Sequence, residues 1–160
     1  MNDASSHRST SVDQRQPVRV ALAQIAPVLG DLERNLETHL ETIARAKAED
    51  ANLIIFPELS LTGYFLRDMV PDVAIPADAP ELRLLVEAAG AMDLVVGFVE
   101  ETDKHLFYNS VFYASGGRIV HVHRKVFLPT YGLFDEARYF ARGQRVRAFD
   151  VPPHGGGRLG

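Results

Sequence analysis

Cysteine is absent from this 160-residue sequence. Without cysteine the chain can form no disulfide bond and no zinc–thiolate site, and it offers no thiol nucleophile. Long apolar runs are absent too, since no stretch approaches the roughly 20 residues of a membrane-spanning helix. The first 17 residues contain almost nothing apolar and lack the hydrophobic stretch of a signal peptide. We therefore expect residues 1–17 to be a disordered tail on a cytoplasmic protein.

Neither sign of charge dominates the chain. Lys and Arg number 17 against 21 for Asp and Glu, which gives a net charge of −4. This balance gives no general attraction to nucleic acid or to an anionic membrane, so neither is an expected partner. A local basic cluster is interpreted as a solvated face; its members are Arg138, Arg142, Arg145 and Arg147. The hydrophobic fraction of 46% is ordinary for a single globular domain with a real core.

The first hundred residues alternate between strand and helix patterns. Short apolar runs rich in β-branched residues predict buried strands at 18–25, 52–56 and 94–99. Between the first two runs, leucine and isoleucine recur at helical spacing from a candidate N-cap, Asp31, to about Lys47. A second helix is predicted at 81–91. This order is typical of a βαβ unit with a parallel sheet.

The second half has a different pattern. Runs at 107–114 and 118–123, separated by a Ser-Gly-Gly sequence, predict a β-hairpin. The segments 58–80 and 124–143 are predicted to be long loops, and 146–151 a last short strand. No internal repeat or domain linker is visible, so we expect one α/β layer that carries two long loops.

Both long loops begin with a charged residue close to a strand end. Glu58 follows the second predicted strand through Pro57, and Lys125 follows the second strand of the hairpin. Ligands of α/β sheets bind at the carboxyl ends of strands. The two opposite charges are therefore candidates for one pocket.

Three segments, in chain order, resemble motifs of the nitrilase superfamily of carbon–nitrogen hydrolases. FPELSLTGY at 56–64 resembles the first catalytic motif, and YNSVFYASGGRIVHVHRKVFLPTYG at 108–132 resembles the second. FDEARYFARG at 134–143 resembles the segment that carries the second glutamate. The run PTYGLFDEARYF is most similar to the glutaminase domains of glutamine-dependent NAD synthetases and to their stand-alone bacterial relatives. The resemblance covers 18–160 and implies the N-terminal portion of a four-layer αββα sandwich, incomplete at the C-terminus.

The resemblance implies hydrolysis of a non-peptide carbon–nitrogen bond, in an amide or a nitrile, by a Glu-Lys-Cys mechanism. Glu58 would take the proton of the thiol and later activate water. Lys125 would hold the oxyanion of the tetrahedral intermediate, and Glu136 would keep the lysine charged and oriented. Outside this family, Glu58 would be a solvated carboxylate and Lys125 a surface lysine. Glu136 would pair with Arg138 or Arg142.

Several other residues are weighed beside these three. The loop aromatics Tyr64, Phe65, Tyr131 and Phe134 are candidates for lining the mouth of the substrate pocket. Asn109 is interpreted as ordering the hairpin and its loop.

No cofactor or metal is expected. His121 and His123 share a strand face, but no third ligand follows at a suggestive spacing. The glycine runs match no phosphate-binding loop, and no GxSxG elbow of a serine hydrolase is present. The expected partner is a small amide or nitrile, and the resemblance implies a homo-oligomer when the chain is full length.

The nucleophile is the point at which the sequence departs from the family. In the family a cysteine follows the third strand signal, and GGGRLG at 155–160 resembles the opening of that strand. The 160 residues alone are therefore expected to be inactive. Two alternatives stay open: the glutaminase domain of a NAD synthetase, which would pass ammonia to a second domain, and a truncated non-catalytic binding module.

These observations predict that the gene continues past Gly160 and encodes a cysteine within about one strand length, roughly five to ten residues. Sequencing the locus tests this. A stop codon directly after Gly160, or a continuation without a nearby cysteine, would contradict the interpretation as a truncated enzyme.

Overall fold

A computed structural model describes residues 17–151 and the backbone of residues 158–159. The predicted tail at 1–17 lies outside the described residues except for Pro17. The described part contains a five-stranded sheet and a separate two-stranded pair, together with helices. The expected α/β class is confirmed.

The predicted strands and helices occur in the predicted order, together with short helical segments that the sequence did not predict. The strands are β1 (Val20–Leu22), β2 (Leu53–Ile55), β3 (Asp93–Glu101), β4 (Phe107–Ser115), β5 (Arg118–Arg124), β6 (Phe149–Asp150) and β7 (Arg158–Leu159). The helices are α1 (Leu32–Ala48), α2 (Val70–Val73, after a 3-10 turn at Arg67–Met69), α3 (Pro80–Ala89) and α4 (Glu136–Tyr139).

The main sheet has the strand order β1-β2-β3-β4-β5. The first three strands are parallel and the last three antiparallel. The hairpin between β4 and β5 turns at Gly116 and Gly117, whose positive φ angles of 59° and 75° suit a tight hairpin turn. The pairing of these two strands shifts by one residue between Tyr113 and Ala114. Apart from that shift the register is continuous along both strands.

The main core lies between one face of the sheet and the helices α1 and α3. Ile43 on α1 and Leu82 and Leu85 on α3 are almost completely buried against Leu94 and Phe98 of β3. Burial of each such side chain contributes about 1.5–3 kcal/mol. On the opposite face, Val99 near the end of β3 is buried in a second, smaller core with Val70 and Val73 of α2. The rest of that face is the one available to a site.

A buried polar network ties α1 to the loop after β2. The Asn35 amide donates to the carbonyl oxygens of Val28 and Leu61, at 2.8 Å and 3.0 Å. His39, which has no exposed surface, lies 2.6 Å through Nδ1 from the carbonyl oxygen of Asn35 and 2.9 Å through Nε2 from Oγ of Ser60. A carbonyl can only accept, so Nδ1 carries the proton and Nε2 accepts from the Ser60 hydroxyl.

Three predictions for the less regular segments were wrong in detail. The segment 124–143, predicted to be a long loop, contains the short helix α4. The segment 58–80 contains a helical stretch, because Leu66, Val70 and Val73 recur at helical spacing and bury one face in a second, smaller core. The strand predicted at 146–151 is limited to β6, which pairs antiparallel with β7. Residues 146–148 are exposed and lie outside any strand. Within residues 17–151, the helices are too short or too polar to cross a bilayer.

Burial of His39 makes the fold sensitive to acid. Removal of the ring from water lowers the pKa of His39 from 6.5 to about 4, against the opposing effect of its hydrogen bond to Asn35. Below pH 6.5 the unfolded chain therefore binds a proton that the folded chain does not, and stability is lost as the pH falls towards 4. We expect this group to remove about 3 kcal/mol of the free energy of unfolding at pH 4.

Urea unfolding of the parent and of His39→Leu between pH 7 and pH 4 measures this contribution. The leucine variant cannot titrate at this position, so its free energy of unfolding should fall less steeply with acid. Parallel curves for the two proteins would contradict the prediction.

Candidate active site

Glu58 lies in a tight turn that follows β2. Pro57 offers no N–H to extend the strand, and the residue after Glu58, Leu59, has a φ of +48°. The turn lies directly on β3 at Gly97, where an added Cβ would be 2.5 Å from the Leu59 nitrogen and 2.9 Å from the Pro57 oxygen. Glycine at position 97 is therefore what allows the turn to approach the sheet.

Lys125 continues the line of β5 past its last paired residue. Its backbone N–H donates to the carbonyl oxygen of Asn109 on β4 at 2.8 Å. Its own carbonyl accepts from the N–H of Gly143 at 2.9 Å. A Cβ at Gly143 would lie 2.1 Å from the Arg124 oxygen, so this second close approach also requires glycine. The backbone of Lys125 is thus held from two sides.

Glu136 is the first residue of α4. Its N–H donates to the carbonyl oxygen of Pro129 at 3.1 Å, and its carbonyl accepts from the N–H of Phe140 at 2.9 Å. Phe140 is buried in the second core with Leu59 and Val99. These contacts fix the short helix and bring the Glu136 side chain under the loop that carries Lys125.

The three charged side chains meet at the ammonium group of Lys125. Nζ donates to Oε1 of Glu58 at 2.7 Å and to Oε1 of Glu136 at 2.8 Å. The Asn109 amide donates to the same Glu58 oxygen at 2.6 Å, and the Tyr64 hydroxyl donates to Oε1 of Glu136. Five side chains from four separate segments form one hydrogen-bonded chain.

The electrostatics favour a charged lysine and a neutral tyrosine. Burial lowers the pKa of Lys125, but the hydrogen bonds and charges of Glu136 and Glu58 outweigh burial, so the pKa is raised overall. Burial raises the pKa of the Tyr64 hydroxyl, and the hydrogen bond to Glu136 and the charges of both glutamates raise it further. Lys125 therefore stays an ammonium and Tyr64 stays a donor at neutral pH.

The two glutamates differ in exposure. The Glu58 side chain is 47% exposed, whereas that of Glu136 is 4% exposed. The second oxygen of Glu136, Oε2, is buried and has no hydrogen-bond partner among the described residues. Glu58 is thus open to an incoming molecule, and Glu136 acts from beneath the lysine.

A cleft of ≈ 340 Å³ opens beside Glu58 on the sheet face away from α1 and α3. Its walls include Glu58, Asn109, Lys125, Gly97 and His123. This volume suits a small organic molecule. Glu58, Asn109 and Lys125, which are joined by hydrogen bonds, all line this cleft.

Three of the four predicted aromatic residues lie beside Glu136, and none of the four lines the cleft beside Glu58. Tyr64, Phe65 and Phe134 line a neighbouring cleft of ≈ 270 Å³ that also contains Glu136. Tyr131 is 72% exposed and packs edge-on against Phe134, with ring centroids 5.8 Å apart. Tyr64 reaches the charged chain directly through its hydroxyl.

The neighbouring charged residues are not part of this hydrogen-bonded group of five side chains. Arg124 forms a two-point contact with the buried carboxylate of Glu100, at 2.8 Å and 2.5 Å. The four arginines of the basic cluster are all exposed, and Glu136 pairs with Lys125 instead of with them. The rings of His121 and His123 are 6.3 Å apart. No group of three potential metal ligands occurs in the part of the chain that the structure describes.

Sequence reasoning missed three contributors to this site. Asn109 contacts Glu58 directly, beyond the ordering role assigned to it. Gly97 and Gly143 were not singled out. The available signal for Asn109 was a polar side chain in an otherwise apolar strand, and for Gly97 a glycine within a strand run, which often marks close backbone approach.

Residues 19–160 match the model of the carbon–nitrogen hydrolase family. The chain belongs to that family. It is 33% identical over 136 residues to the glutamine-dependent NAD(+) synthetase of Acinetobacter baylyi, a match that covers 85% of this chain and 25% of the synthetase. The chain thus spans about a quarter of the length of such relatives.

Two solved structures show the same fold. Nit3 of Saccharomyces cerevisiae, a member of the nitrilase superfamily, matches 88% of this chain and 53% of its own with a TM-score of 0.74 at 24% identity. The second is an amidase from Nesterenkonia sp. AN1, solved with acrylamide added at its active-site cysteine. The match covers 85% of this chain and 54% of the amidase, with a TM-score of 0.73 at 23% identity. The described sheet and helices are the N-terminal portion of the nitrilase αββα sandwich, as expected.

The close approach at Gly97 yields a test of the geometry. In Gly97→Ala the new Cβ meets only backbone atoms, so the turn must move and the contact between Glu58 and Lys125 should break. The matched control is Gly116→Ala, where nothing lies within 4 Å and only a backbone strain of roughly 1–2 kcal/mol is added. NMR of the Lys125 ammonium measures the contact. Equal signals in the two variants would contradict the role of Gly97.

Proposed function

We propose that the protein hydrolyses a small amide, with Glu58 as general base, Lys125 as oxyanion donor and Glu136 as the residue that orients Lys125. The observation that carries the proposal is the sharing of one ammonium by two carboxylates beside an open cleft. Family membership sets the reaction class as carbon–nitrogen bond hydrolysis. The contacts of Glu58, Lys125 and Glu136 support the roles proposed for them.

Glu58 is suited to move protons. It is half-exposed, lines the cleft and has one oxygen held by Asn109 and Lys125. With Oε1 occupied, Oε2 is the oxygen that can accept a proton from a nucleophile and later from water. A base held in this way contributes about 10²–10⁴-fold to the rate.

Lys125 is suited to hold developing negative charge. An ammonium has three N–H donors, and the two glutamates engage two of them, which leaves one for the oxygen of a tetrahedral intermediate. A donor fixed in advance stabilises the transition state without reorganisation, typically by about 3–4 kcal/mol. The raised pKa of Lys125 keeps this donor protonated across the neutral range.

Glu136 and Tyr64 are suited to fix the lysine from below. The Tyr64 hydroxyl and the Lys125 ammonium donate to the same oxygen of Glu136, so the buried carboxylate has two partners on that atom. Tyr64 therefore limits the rotation of Glu136, and Glu136 limits that of Lys125.

The nucleophile in this proposal is a cysteine outside the 160 residues, since the sequence given contains none. The Nesterenkonia amidase of the same fold has an active-site cysteine. A thiolate placed in the cleft, its proton taken by Glu58, would attack the amide carbonyl. The C–N bond would break and ammonia would leave with the proton from Glu58, which leaves a thioester. Water deprotonated by Glu58 would then hydrolyse the thioester to the acid and the free thiol.

Glutamine is a second candidate substrate, favoured by the 33% identity to a glutamine-dependent NAD(+) synthetase. In that case ammonia would pass to a synthetase domain. Ammonia release from glutamine and from a panel of simple amides and nitriles distinguishes the two. A strong preference for glutamine supports the synthetase-type assignment, and a preference for small amides supports the stand-alone hydrolase.

Substitutions test the roles in the longest protein that the gene encodes. Glu58→Gln should lower kcat by about 10²–10⁴-fold because the base is lost. Lys125→Met should lower it by about 10²–10³-fold because the oxyanion donor is lost. The losses should not add in the double variant, since the groups act as a unit. The 160-residue chain alone should release no ammonia above background.

Two exposed residues serve as matched controls. Glu37→Gln on α1 and Lys104→Met between β3 and β4 make the same chemical changes at exposed positions. Both should keep parental kcat. Metal-independent turnover by the 160 residues, or full activity of Glu58→Gln, would show that the mechanism is wrong.

A further inference from the structure

One imidazole contacts the chain on both sides of Glu58. His39 of α1 stacks on Phe56, with ring centroids 4.2 Å apart, and accepts a hydrogen bond from Ser60 at 2.9 Å. Phe56 lies two residues before Glu58, and Ser60 lies two residues after it. The His39 side chain therefore contacts the segment that carries Glu58 both before and after the glutamate.

The orientation of the His39 ring is fixed. Nδ1 donates to the carbonyl oxygen of Asn35 one helical turn earlier, so the ring cannot rotate without losing a buried hydrogen bond. Asn35 in turn donates to the carbonyl oxygen of Leu61 at 3.0 Å. The ring is completely buried, and α1 thus contacts the segment around the turn at three residues, Phe56, Ser60 and Leu61.

The turn needs such support. Leu59 has a φ of +48°, a conformation that costs a residue with a side chain free energy and persists only when the surroundings impose it. The Glu58 side chain is itself half-exposed, and its carboxylate is held at Oε1 by Asn109 and Lys125. The direction in which the carboxylate leaves the backbone is therefore set by the turn.

We propose that His39 is a positioning residue for Glu58, which it serves by holding Phe56 and Ser60 so that the carboxylate points at Lys125. The inference rests on the proposed function, in which Glu58 is the general base. Misplacement of a catalytic group by about 1 Å can lower the rate by about 10²-fold. Such a loss falls on kcat, because a base acts in the chemical step.

Four variants separate positioning from core filling. His39→Leu replaces the ring with an apolar side chain of similar size and removes both of its hydrogen bonds. His39→Gln can still accept from the Ser60 hydroxyl through its amide oxygen. Ser60→Ala removes only the hydroxyl oxygen, which also lies 3.4 Å from the carbonyl oxygen of Gly97, and it tests the contact even where His39→Leu fails to fold. Ile43→Val, one turn along α1 and buried in the main core, is the matched control for packing.

The experiment measures ammonia release and, by NMR, the pKa of the Lys125 ammonium in the longest protein that the gene encodes. We expect His39→Leu and Ser60→Ala to lower kcat roughly tenfold to hundredfold with KM changed less than about twofold. The pKa of Lys125 should fall in both, because the Glu58 hydrogen bond that helps to raise it is weakened. His39→Gln should recover most of the rate, and Ile43→Val should lower the melting temperature without lowering kcat.

Two outcomes overturn the inference. One is parental kcat and parental Lys125 pKa in Ser60→Ala and His39→Leu. The other is an equal loss of kcat in Ile43→Val, which would make the effect one of general packing. If the parent protein releases no ammonia from any substrate, the proposed function fails, and the pKa of Lys125 in the variants alone then decides the positioning role.

Discussion

The ammonium group of Lys125 is the contact on which the site depends. The carboxylates of Glu58 and Glu136 both contact this one group, and they would repel each other if no cation lay between them. Lys125 supplies that cation at 2.7 Å from Glu58 and 2.8 Å from Glu136. The lysine in turn stays charged in a partly buried place because both carboxylates outweigh the effect of burial on its pKa. The contacts of Lys125 therefore hold together the loop after β2, the loop after β5 and the helix α4. Each charged group depends on the other two.

The sheet supports this arrangement by using its two faces differently. Alternate residues of β3, such as Val96 and Phe98, are buried against α1 and α3 and supply the main core. The residue between them, Gly97, faces the other way and presents bare backbone on which the Glu58 turn lies. Gly143 likewise lets its own backbone lie directly against the backbone of Arg124 and Lys125. The two charged residues are thus set on rigid backbone, which is the condition for a preorganised site.

Much of this architecture could be predicted from the sequence, because strands, helices and the hairpin depend on local periodicity. The positions of Glu58 and Lys125 at strand ends followed from the same patterns together with the family motifs. The contacts of Asn109 and His39 could not be predicted in this way. A buried polar residue gives the same pattern whether it satisfies a nearby carbonyl or holds a carboxylate from a distant loop. The helical turns in 58–80 were missed because prolines and a glycine obscured a short apolar spacing.

The one-residue shift in the pairing of β4 and β5 decides which cation reaches the glutamates. Side chains alternate along a strand, so a shift of one residue reverses the face of every residue beyond it. Under the pairing found beside the turn, Asn109 would lie opposite Arg124, and the guanidinium would face Glu58 while Lys125 faced the helices. The extra residue in β5 thus places the compact ammonium of Lys125 beside the glutamates, and not the planar guanidinium of Arg124. A guanidinium keeps its proton at any working pH. A one-residue insertion or deletion within β5, between this shift and Lys125, would turn Lys125 away from the cleft unless a second shift restored the pairing.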